Sequence, residues 1–199
     1  MSRQVDRLHS EVVYQGFFTL ERHRLRHGLF RGGLSAEITR ERLRRDRVAA
    51  VLPYDPRQDA VVLVEQFRIG ALEAAGGAWL LETVAGVAES GETMETVARR
   101  ESQEEADLEL GPLERICDYF PSPGASSERV TLFCARVSAP AAGGYHGCAD
   151  EDEDIRSHVL PADEALELID TGVINSAMPI IALQWLALNR ARLQDVWTD

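Results

Sequence analysis

Between Gly86 and Leu108 the chain reads GVAESGETMETVARRESQEEADL, with an arginine at 100 and glutamates at 92, 101, 104 and 105. From about Thr93 to Ala106 no Gly or Pro interrupts good helix formers, so the stretch is predicted to be helical. Thr93 is placed to be the N-cap, and Glu95 in the first turn complements the helix dipole. On that helix Glu101 and Glu105 stand one turn apart on the line of Val97. Two like charges at this spacing oppose the helix by roughly 0.2–0.5 kcal/mol, and the cost rises if the face is turned toward protein. A hard divalent cation removes the conflict, because Mg²⁺ takes one or two carboxylates together with substrate phosphates. Arg100, four residues before Glu104, can pair with it and hold the cluster in register. The plain alternative for such a run is a solvated acidic helix face.

The complete spacing speaks against that alternative. Gly86, Glu92, Arg100, Glu101, Glu104 and Glu105 together resemble the Nudix box, the signature of hydrolases that cut nucleoside diphosphates linked to another group. Two positions depart from the pattern: Ser102 stands where an aliphatic residue is usual, and Asp107 where Gly is usual. A left-handed residue at 107 would cost Asp less than most side chains, and the Ser102 hydroxyl is expected to bond the Ala98 carbonyl. Neither change removes a candidate metal ligand. Flanking segments VLVEQFRIGA, WLLETVAG, DYFPSPGASSERV, DEDEDIRSHVL and INSAMPIIALQWLAL are similar to the ADP-ribose pyrophosphatase branch of the family, across most of residues 12 to 190.

The resemblance implies hydrolysis of ADP-ribose to AMP and ribose 5-phosphate with Mg²⁺, or Mn²⁺ in its place. It puts the metal on Glu101, Glu105, the Ala85 carbonyl and Glu153. The acidic run 150 to 154 would belong to a loop closing over the diphosphate, with Glu151 as general base and Glu104 as the competing candidate. Alone, that run reads as an exposed acidic tract. Arg68 matches a diphosphate-binding arginine, and Glu128 a residue contacting the terminal ribose or reaching the site from a partner subunit. Phe17 and Arg40 match positions that hold adenine and a nearby polar group; core packing and a surface salt bridge are their ordinary alternatives. GDP-mannose or another nucleoside diphosphate sugar is a second substrate reading. A sensor that binds ADP-ribose without cutting it is a third, and the intact glutamate cluster argues against it.

These residues need a scaffold. Apolar, β-branched runs at 47 to 53 and 60 to 66, with Asp55-Pro56 between them, predict strands, and strand signals recur near 83 to 86, 113 to 119, 129 to 137 and 155 to 160. Helices are predicted at about 162 to 170 and 178 to 193. Strands on both sides of a central helix suit an α/β fold, the Nudix α/β/α sandwich with a mixed sheet that the resemblance implies, over 46–199. Residues 140 to 154 form a long loop. Residues 1–45 read as an N-terminal antiparallel β arm: Leu25 and Leu29 alternate with arginines, and Leu34, Ala36 and Ile38 alternate again after Gly32-Gly33, which predicts a hairpin. An isolated hairpin is marginal in water. By resemblance the arm makes a homodimer that shares the substrate site between subunits.

Composition limits the partners. The 199 residues carry a net charge of −12, all 21 basic residues are Arg, and residues 1–45 hold ten of them against five acids. An acidic protein without interleaved aromatic platforms is a poor match for nucleic acid. Most arm arginines are accounted for by solubilising a strand face; the rest can grip phosphate or carboxylate. No apolar run approaches a membrane span and no signal-peptide order is seen, so no membrane partner and a cytoplasmic location are expected. Cys117, Cys134 and Cys148 are odd in number and are read as reduced thiols without a function.

Overall fold

The computed structural model describes residues 4–140, 143–148 and 152–198. Two compact units emerge, one formed by the arm through Arg47 with Phe120–Arg129, the other by Val48–Tyr119 and the chain from Val130 onward.

In the first unit β1 (Val5–Gln15), β2 (Thr19–His27) and β3 (Ile38–Arg44) form an antiparallel sheet in that order. Its arginines interleave with acids across the strands: Arg22 with Glu41 at 3.1 Å, Arg24 with Glu37 at 2.6 Å, and Arg42 with Glu21 through Nε at 3.0 Å. The expected strand at Leu34–Ile38 is displaced. Gly32 and Gly33 take φ of +92° and +77°, Leu29 N donates to Gly33 O at 2.9 Å, and β2 resumes its ladder only at Leu25 opposite Ile38. Past the two left-handed glycines Leu34 makes a single antiparallel bridge to Gly28, and regular strand begins only at Ile38. Phe120–Arg129 returns to this unit through Ser126, which bridges Leu43, and Ser127 Oγ, which accepts from Arg45 N at 2.9 Å.

The second unit is built on a mixed sheet ordered β10 (Tyr145–His146), β11 (Ile155–Pro161), β5 (Ala60–Phe67), β4 (Arg47–Asp55), β9 (Arg129–Arg136), β8 (Leu113–Tyr119). Off that path β6 (Trp79–Glu82) pairs with β5 and β7 (Val84–Val87) with β4. Period-two alternation in buried strands sends side chains to both faces. Ala49, Val51, Val62, Val64 and Phe133 meet Met94, Val97 and Ala98 of α1 (Met94–Ala106) on one side. Leu52, Tyr54, Leu63 and Leu132 meet Ala165 of α2 (Ala162–Asp170) and Leu183, Leu186 and Leu193 of α3 (Ala177–Trp197) on the other. The result is helix, sheet, helix. Among the described residues no helix is long and apolar enough to cross a membrane.

Candidate functional site

The acidic helix begins and ends as its residue types dictate. Thr93 Oγ1 accepts from Thr96 N at 3.2 Å, which makes it the N-cap. At the other end Asp107 adopts the left-handed conformation, φ 52°, with its N–H on Gln103 O at 3.1 Å and Leu108 N on Ser102 O at 3.0 Å. Between the caps, Val97, Ala98, Ser102, Glu105 and Ala106 are buried, so Glu105 is pressed toward the sheet while Glu104 stays exposed. Ser102 departs from expectation. Its hydroxyl is wholly buried and finds no partner among the described residues, instead of bonding the Ala98 carbonyl.

Gly86 explains itself by proximity. A Cβ there would overlap the Glu101 carboxyl, so only glycine lets α1 lay that side chain over β7. Glu105 lies deeper, 2% exposed, with Oε2 accepting from Ala85 N at 3.0 Å and Gln66 Nε2 at 3.4 Å from Oε1. Burial pushes the Glu105 carboxyl up to about 8; the Ala85 N–H opposes this, and repulsion from Glu101 and Glu153 adds to it. Burial raises Glu101 as well, against the pull of Arg100.

Arg100 is the hub. Its guanidinium bonds Glu92 at 3.2 and 3.1 Å, Glu101 at 2.7 Å, Glu104 at 3.0 Å and the Val87 carbonyl at 3.2 Å. Bonds to Glu92 in the first place, then the field of Glu101 and the bonds to Glu101 and Glu104, stabilise its charge against the cost of burial. Glu92 also accepts from Glu89 N at 2.9 Å, which fixes the chain entering α1.

Glu153 joins this group electrostatically, because its charge is felt at both Glu101 and Glu105. Its segment is tied down locally: Glu153 N donates to Cys148 O at 3.2 Å, Cys148 N to Glu153 Oε2 at 3.3 Å, and Gly147 N to Glu104 O at 3.4 Å. Asp150 and Glu151 lie outside the described residues. Arg68 stands where β5 ends, its Nε on Glu82 Oε2 at 2.6 Å. Glu82 and Gln66 enter the site only through the pairing of β5 with β6 and its packing on α1, and no local spacing announces them.

The remaining candidates belong to the arm unit. Phe17 is 93% exposed with its ring edge-on to Phe18 at 4.8 Å, so it is no core residue of its own chain. Arg40 Nη1 donates to the Thr39 carbonyl at 2.8 Å rather than pairing with a carboxylate among the described residues. Glu128 takes Arg45 Nε at 3.2 Å, and Arg45 lies over the Phe18 ring at 4.7 Å.

A divalent ion suits the donor set. Glu101 and Glu105 offer only oxygen, and the buried Glu105 carboxyl is short of positive charge. No three metal-binding side chains converge as they stand among the described residues. Arg100 draws Glu101 and Glu104 to itself while Ala85 N and Gln66 engage Glu105, and each carboxylate keeps oxygen lone pairs beyond these bonds.

The NUDIX domain pattern matches residues 43–191. An ADP-ribose pyrophosphatase from Escherichia coli is 46% identical over 187 residues, spanning 94% of this chain and 90% of that protein. A GDP-mannose pyrophosphatase from Shigella flexneri is 31% identical over 195 residues, spanning 95% and 98% respectively. Among solved structures, an ADP compounds hydrolase superposes with a TM-score of 0.72 over 94% of this chain and 96% of that one; at 20% identity it speaks to the fold alone.

Proposed function

This chain belongs to the Nudix family, and from that premise we propose that it hydrolyses the diphosphate bond of ADP-ribose to AMP and ribose 5-phosphate with Mg²⁺, or Mn²⁺, as cofactor. The observation that carries the chemistry is the Glu101–Glu105 pair, Glu101 laid over Gly86 and bonded by Arg100, Glu105 buried on the Ala85 N–H. The substrate follows from similarity: 46% identity to an ADP-ribose pyrophosphatase against 31% to a GDP-mannose pyrophosphatase. The second figure keeps GDP-mannose as the alternative substrate.

Glu101, Glu105, Glu153 and the Ala85 carbonyl hold the metal in this reading. When bound, the ion neutralises diphosphate oxygens and lowers the pKa of a bound water. Arg68 grips the diphosphate through its guanidinium fork. Glu151 takes the proton of the attacking water, a task that needs reach of about 3 Å. Glu104 is the competitor, and Arg100 keeps its carboxylate anchored at 3.0 Å. Phe17 and Arg40 receive the adenosine end and Glu128 the terminal ribose, in a homodimer joined through the arm. Three free cysteines accord with a reducing, cytoplasmic setting.

Turnover is to be measured on ADP-ribose, GDP-mannose, ADP-glucose, NADH and diadenosine polyphosphates, with Mg²⁺ and with chelator. ADP-ribose is expected to be cut fastest, and only with metal; no turnover on any of them sinks the enzyme reading in favour of a sensor. Retained turnover in Glu151→Gln with loss in Glu104→Gln would transfer the base role to Glu104.

A further inference from the structure

Arg68 could point several ways from the end of a strand, and one buried side chain decides between them. Its backbone N–H is fixed on Ala78 O at 2.7 Å, next to the Phe67–Trp79 pair of the β5–β6 ladder. Val64, Gln66 and Arg68 alternate onto the same side of β5, the side that carries α1. Glu82 sits opposite Val64, four residues back from Arg68, a separation of roughly 13 Å at about 3.3 Å per strand residue. For Arg68 Nε to reach Glu82 Oε2 at 2.6 Å, the arginine must fold back along the strand over Gln66, the residue next to Glu105. Its positive charge is accordingly felt at the Glu105 carboxyl.

The bond uses Nε. Among the described residues no bond is found to Nη1 or Nη2, and the Arg68 side chain is 40% exposed while that of Glu82 is 8% exposed. A guanidinium held by its Nε edge presents a planar, two-pronged donor with its free prongs outward, the form that matches two phosphate oxygens. We propose that Glu82 is a positioning residue: it folds Arg68 back beside the carboxylate cluster and fixes its plane so that both terminal nitrogens face the diphosphate of the substrate. This rests on the diphosphate reading of the site above. Glu82 touches no substrate atom and acts only through Arg68.

The test uses the full-length protein and ADP-ribose, with dissociation constants measured by calorimetry in chelator and turnover measured separately with Mg²⁺. Glu82→Gln is expected to weaken binding roughly tenfold, the worth of one charge-assisted hydrogen bond. KM should rise with it while kcat changes less than about threefold, and the melting temperature confirms that the variant is folded. In an Arg68→Ala background, adding Glu82→Gln should change the dissociation constant no further, because the partner it acts through is gone. Unchanged binding in Glu82→Gln, or a full further loss on top of Arg68→Ala, overturns the proposal. Should Glu82→Gln fail to fold, Glu82→Asp carries the same test: a carboxylate one methylene shorter falls short of Arg68 Nε, so the same loss is expected, none is expected on top of Arg68→Ala, and wild-type affinity overturns it. A wild-type protein that binds ADP-ribose yet never cuts it with Mg²⁺ fails the enzymatic reading instead.

Discussion

Gly86 shows how little of a signature residue's reason is visible until its neighbour is placed. The usual motive for glycine, a positive φ, does not apply, since Gly86 is not among the left-handed glycines. What forbids a side chain is the Glu101 carboxyl lying against its Cα. Gly86→Ala should therefore leave the fold standing and displace Glu101, weakening Mg²⁺ affinity by roughly 10–100-fold as loss of a ligand's support typically does. Metal titration followed by thermal shift, beside an unchanged far-UV circular dichroism spectrum, checks this; undiminished affinity would show that Glu101 does not serve the ion. Ser102 teaches the converse. A mid-helix serine ordinarily bonds a carbonyl one turn back, yet burial of the helix face leaves this hydroxyl orphaned, and only packing could reveal that.

Among the elements, α1 was the most legible, because capping, charge spacing and freedom from Gly and Pro all act within one segment and agree. The arm was less so: Leu34, Ala36 and Ile38 alternate as a strand would, but after two left-handed glycines only Ile38 enters β3, opposite Leu25, and Leu34 makes a single bridge to Gly28. β6 gives no strand signal of its own, since four residues carry no period to read. The join between α3 and the β4–β5 turn was equally hidden, though it is written in charges far apart in the chain. Arg190 Nε meets Asp59 Oδ1 at 2.7 Å and the Tyr54 hydroxyl donates to the same oxygen at 2.8 Å. The Arg190 bond in the first place holds Asp59 below its usual range, with burial opposing it and Tyr54 adding to it. A carboxyl lowered on folding stabilises the native state at pH above about 4 and loses that contribution as pH falls through its folded value. Asp59→Asn keeps a residue that tolerates the φ of 53° found here, so the backbone should be undisturbed. It should cost about 1–3 kcal/mol at pH 7, and the gap to wild type should close as pH drops toward 3. Urea melts at pH 7 and pH 3 check this; a gap that stays constant refutes the ionic origin.

For the whole molecule, the sandwich was legible because both faces of each buried strand are apolar, which demands helices on both sides. What the arm rests on was not legible, and its exposure makes the question sharper. β1 is almost wholly exposed along its 11 residues, and Val5, Val12, Tyr14, Phe17 and Phe30 lie open, with Phe30 at 95%. A three-stranded sheet with that much uncovered apolar surface and a long free edge calls for a cover. If a second copy supplies it, light scattering at micromolar concentration should give twice the mass of one chain. If the arm also delivers Phe17 to the neighbour's site, two defective proteins should repair each other. Phe17→Ala supplies a sound carboxylate cluster with a poor arm, and Glu105→Gln a sound arm with a poor cluster. After random subunit exchange, half of the dimers are mixed and each gathers both lesions into one site, leaving the other intact. Activity should then rise toward about one quarter of wild type, as twofold symmetry requires. Mixing that returns no more than the sum of the two variants would mean that Phe17 serves its own chain or none, even if the protein proves dimeric.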